Sequence, residues 1–70
     1  MKNQINYTVA CINEFARNKS LSKTQAFLYL FEHKALEFLC EFYDVEHTLS
    51  FEEVISDLTQ ICIKNGGKIQ

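Results

Sequence analysis

Between Asn3 and Asn18 apolar residues recur at Ile5, Val9, Ile12 and Ala16, with Cys11 and Phe15 widening the stripe. Steps of three and four put these on one face of a helix, leaving Asn13, Glu14 and Arg17 on the polar side. Asn18-Lys19-Ser20 closes this first helix without a glycine. Ser22 and Gln25 then form a capping box, in which the hydroxyl accepts from the Gln25 N–H and the Gln side chain returns to the Ser22 N–H. The second helix runs from there to about Glu32. His33-Lys34 is a break with no glycine or proline to enforce it, so a single bent helix is the alternative. The third helix spans Ala35 to about Tyr43, with Leu36, Leu39, Cys40 and Tyr43 on one face and Phe38 and Phe42 on a second ridge. A second capping box, Ser50 to Glu53, starts the fourth helix, whose buried stripe is Val54, Ile55, Leu58, Ile61 and Cys62. Asn65-Gly66-Gly67 stops it, because glycine enters the left-handed region at low cost. The pattern predicts an all-α single domain over residues 1–70. Its architecture is a small bundle of four short helices, or three if the second and third merge.

The second and third helices hold more apolar residues than one buried face can absorb. If Leu36, Leu39 and Tyr43 face the core, Phe38 and Phe42 lie largely elsewhere, and Phe27, Leu28, Tyr29, Leu30 and Phe31 pose the same problem. Burying one such side chain is worth about 1.5–3 kcal/mol, a large share of a small domain's stability. Contiguous exposed apolar surface marks an interaction site. The expectation is therefore a protein partner or self-association through these two helices. Phe27, Leu28, Phe38 and Phe42 would be the anchors, with Glu37, Glu41 and Glu46 at the rim.

Charge sharpens this. The chain carries a net −2, but residues 1–31 hold +3 and residues 32–57 hold −7, with Lys64 and Lys68 in the tail. An acidic middle repels phosphate backbones and favours a basic protein surface. The basic residues Arg17, Lys19 and Lys23 gather around the first turn, and neither later helix offers an Arg, Lys, Asn or Gln reading face. A helix-turn-helix DNA-binding regulator is the weaker alternative. Three widely spaced cysteines, Cys11, Cys40 and Cys62, read as reduced core thiols rather than a disulfide framework. No basic region followed by an apolar run opens the chain, and no apolar stretch approaches the ~18 residues of a membrane span. A cytoplasmic protein without membrane contact is expected.

Catalytic equipment is sparse. Asp44 and His47, with Tyr43 and Glu46 beside them, could orient an imidazole for proton transfer, yet no nucleophile stands at a recognisable spacing. Asp44, Glu46 and His47 alone make no metal site, and no cofactor motif is present. The expectation is a protein that is not an enzyme. Asp44, His47 and Thr48 are assigned to shaping the connection, with Asp44 turning the chain and the other two bonding backbone groups.

The run Glu41-Phe42-Tyr43-Asp44-Val45-Glu46-His47-Thr48, followed by Val54-Ile55-Ser56-Asp57-Leu58, resembles a family of short bacterial proteins known only as a domain of unknown function. Their common core looks like a YDxxHT segment followed by a helix of the apolar-x-Asp-apolar type, and the resemblance covers nearly the whole chain. Many relatives have a glycine where this chain has His33-Lys34. The resemblance implies a non-enzymatic protein, often encoded beside a larger domain similar to ADP-ribosyltransferases, in the form of a toxin–antitoxin pair. On that reading this chain is the small acidic neutraliser or accessory partner. A homodimeric structural or regulatory protein is the competing reading.

Overall fold

In the computed structural model, which describes residues 2–67, the regular elements are helices: α1 Lys2–Lys19, α2 Lys23–Glu32, α3 Ala35–Glu41, α4 Tyr43–Glu46 and α5 Phe51–Lys64. Lys68, counted in the tail charge, lies outside the described residues. Among the described residues the helices number five, not four. The second and third predicted helices do not merge, and the third ends at Glu41 because the chain bends at Phe42 into the single turn of α4. The connection between the third and fourth predicted helices is thus itself partly helical.

Both capping boxes form as expected. The Ser22 hydroxyl accepts from the Gln25 N–H at 3.1 Å, and the Gln25 side chain accepts from the Ser22 N–H at 2.9 Å. Ser50 and Glu53 repeat the arrangement at 3.2 and 3.1 Å. The helix exits share a different device. Ser20, Lys34 and Gly66 all adopt positive φ, at 59°, 65° and 94°. After α5 the Gly67 N–H donates to the Cys62 carbonyl and the Gly66 N–H to that of Ile63, which together make a Schellman motif. After α1 the Leu21 and Ser20 N–H groups bond the Ala16 and Arg17 carbonyls in the same pattern. Only the last of the three exits uses the residue best suited to it.

The core draws Cys11, Phe15 and Ala16 from α1, Ala26 and Leu30 from α2, Ala35 and Leu39 from α3, and Val54, Ile55, Leu58 and Cys62 from α5. α1 departs from its predicted stripe. Cys11, Phe15 and Ala16 are buried and Ile12 packs on the core as expected, but Ile5 and Val9 are 62% and 50% exposed, and the inward line continues instead from Phe15 and Cys11 to Tyr7. Those residues are also four apart, so periodicity alone allowed either line. The thiols divide as well: Cys11 and Cys62 are core residues as expected, whereas Cys40 is exposed. Burial pushes the Cys62 thiol up to about 11 and raises that of Cys11, so both are unreactive packing groups.

Candidate functional site

Two features stand out on this frame: an apolar groove on one side and a polar corner around α4.

The groove encloses about 350 Å³. α1 lines it with Gln4, Ile5, Thr8, Val9 and Ile12, α2 with Phe27, and α3 with Cys40. Its far wall is held in place where the Gln4 amide donates to the Cys40 carbonyl at 3.2 Å, linking α1 to α3. Phe31 stacks on Phe27, with centroids 6.0 Å apart, and is itself 63% exposed. The exposed apolar surface is thus built mainly by α1 and α2, and sequence reasoning missed the α1 share by assigning Ile5 and Val9 to the core. The missed signal was the abundance of apolar residues on α1, which leaves more than one face to cover.

The residues expected at a contact differ in exposure. Phe27 and Leu28 are exposed on α2, and Phe42 is exposed beyond α3. Phe38 is half-buried, packs against the core and touches Phe42 at a centroid distance of 5.1 Å. Glu37 and Glu41 are exposed on α3. Glu46 is not at a rim: it is 4% exposed and sits inside the protein. Its position follows from the turn of α4, which carries Asp44 and Val45 outward and rotates Glu46 toward α1 and α5.

The corner around Glu46 is polar and enclosed. Its Oε1 is buried without a hydrogen-bond partner, and so is the Tyr7 hydroxyl from α1. Burial comes first among the causes that push the Glu46 carboxyl up to about 7, followed by the facing carboxyl of Asp57 and the charge of Glu53. Burial also raises the Tyr7 hydroxyl well above its ordinary range. Tyr43 closes the corner by meeting the Tyr7 ring edge-on at 5.4 Å.

Both histidines perform one structural task. His47 stacks on Tyr43 at 4.6 Å, with its Nδ1 2.7 Å from the Tyr43 carbonyl. His33 lies over Tyr29 at 4.4 Å, with its Nδ1 2.8 Å from the Tyr29 carbonyl. A carbonyl only accepts, so Nδ1 carries the proton in each ring and Nε2 is left as the basic nitrogen. Each imidazole closes the C-terminus of its helix, where a proton donor complements the helix dipole. In the sequence this device is legible as Tyr-x-x-x-His, which occurs twice. The Thr48 hydroxyl donates to the Val45 carbonyl at 2.7 Å, completing the turn. Asp44 is exposed, and among the described residues no hydrogen bond or ion pair joins it to His47. Nor do the described residues bring together three or more His, Cys, Asp or Glu side chains able to hold a metal ion. The basic residues at the first turn are engaged locally, Arg17 with Glu14 at 3.4 Å and Lys19 over the Phe15 ring.

A model of the family described as protein of unknown function (DUF3791) matches residues 6–65. The chain belongs to this family. The match takes in the α4 corner, both capped helix starts and the groove apart from Gln4 and Ile5, so the DUF3791 unit corresponds to the whole helical core. No curated protein and no solved structure matches the chain significantly. Among the described residues, no helix of this DUF3791 protein is long and apolar enough to cross a membrane.

Proposed function

We propose that this DUF3791 chain is a non-catalytic protein-interaction module that docks a partner protein in the groove between α1, α2 and α3. The observation that carries the reading is the groove itself, whose lining residues Ile5, Val9 and Phe27 are each more than 40% exposed, with Phe31 exposed beside Phe27. Left in water, that much apolar surface forgoes stabilisation that a small domain can ill spare, and a partner recovers it. The occupant is a helix or loop with an apolar ridge and basic flanks. Glu37 and Glu41 project from α3, the helix that supplies Cys40 to the groove, within a segment strongly negative overall. The resemblance to proteins encoded beside ADP-ribosyltransferase-like domains gives this a concrete form, an antitoxin-like neutraliser of an adjacent enzyme.

Co-expression with the product of the adjacent gene tests the reading. The wild-type chain is expected to co-purify with it and suppress its toxicity. Val9→Asp and Phe27→Asp, both at exposed positions, should abolish co-purification while leaving the far-UV circular dichroism unchanged. Retention of the complex by both folded variants would overturn the proposal. A concentration series by sedimentation separates the competing homodimer, which would bury the same surface against a second copy and lose association in the same variants.

A further inference from the structure

The α4 corner supports an inference independent of the groove. Glu46 is almost wholly enclosed, and the groups facing it are Tyr43 on its own helix, Tyr7 and Cys11 on α1, and Glu53 and Asp57 on α5. His47 lies on the outer side of Tyr43, and among the described residues no cation is a cause of the Glu46 shift. Two ionised carboxylates are both acceptors, so with Glu46 and Asp57 charged neither can bond the other, and the buried Oε1 is without a partner. One proton changes this: a protonated Glu46 donates to Asp57, satisfying the buried oxygen and removing the repulsion together.

We propose that the α4 corner is a proton-dependent clasp, in which one proton shared by Glu46 and Asp57 fastens α4 onto α1 and α5 and its loss frees the turn. The device fits the lever available. α4 is a single turn of four residues held by few backbone bonds, and Glu46 is its one fully buried side chain. Freeing it moves Tyr43 off Tyr7 and alters the path from α3 into α5, without unpacking the aliphatic core. The clasp is closed in mildly acidic solution and opens as pH rises through neutrality.

Carbon-detected NMR of the side-chain carboxyls in the full chain tests this. Glu46 is expected to titrate near 7, and the Val45 methyl and Tyr7 ring signals should move with the same midpoint. Glu46→Gln keeps a donor without the charge, so its Val45 and Tyr7 signals should be independent of pH. Amide exchange over residues 45–49 at pH 8 should then be about tenfold slower than in the wild type. Asp57→Asn serves as the second variant if Glu46→Gln does not fold. His47→Gln should leave the transition in place. Titration of Glu46 near the ordinary 4.5, an α4 unmoved when Glu46 titrates, or disappearance of the transition in His47→Gln would each overturn the clasp.

Discussion

Single residues decide how each helix ends. Lys34 adopts φ 65° and ψ 18° at the N-cap of α3, a conformation that costs a side-chain-bearing residue on the order of 1 kcal/mol. Lys34 is exposed and has no side-chain capping bond, so little opposes its replacement. Lys34→Gly should therefore stabilise the protein by about 0.5–1 kcal/mol, seen as a higher urea midpoint with an unchanged slope. A fall in the midpoint would show that the lysine contributes something beyond its backbone. Glu46 teaches the opposite lesson. In the sequence it was one of many acidic residues and was placed at a surface rim. Only the turn of α4 reveals it as a buried group, because a four-residue helix leaves almost no periodicity to read.

At the scale of elements, the sequence was most legible where side chains bond their own backbone. The Ser22 and Ser50 boxes fixed the starts of α2 and α5, and Gly66-Gly67 fixed the exit of α5, since each is a local hydrogen-bond pattern. The face of α1 was misread because it carries two apolar lines, and the choice between them belongs to tertiary packing. The separation of α2 from α3 was likewise left open, as nothing at His33-Lys34 names a left-handed turn. One contact between distant elements holds that junction. The Asn65 amide, at the C-cap of α5, donates to the His33 carbonyl at 3.0 Å and to the Ile61 carbonyl at 2.9 Å. Asn65→Ala should cost about 1 kcal/mol in chemical denaturation, with faster amide exchange at the end of α2 as well as in α5. Loss confined to α5 would show that the cross-link is not holding the junction.

For the whole molecule, the buried acid makes stability depend on pH in an uncommon direction. Glu46 titrates near 7 in the folded chain and near the ordinary 4.5 when exposed by unfolding. Between those values the folded state holds the extra proton. The contribution is therefore complete below about 4.5 and lost as pH rises through 7. Urea denaturation should show stability falling between pH 5 and 8 by up to about 3 kcal/mol, the limit set by that difference. In Glu46→Gln this decline should be absent, and an equal decline in both proteins would assign it to other groups. The groove belongs to this scale too, since it exists only where α1, α2 and α3 meet. Sequence reasoning reached the excess of apolar surface but not its location, because the surface depends on which line of α1 turns inward.

The groove as a docking surface is tested most directly by hydrogen–deuterium exchange on the chain alone and in complex with the product of its adjacent gene. Added protection is predicted over residues 4–12 of α1 and 27–31 of α2, with α5 unchanged. Protection centred on α5, or none in the first half of α1, would contradict the account.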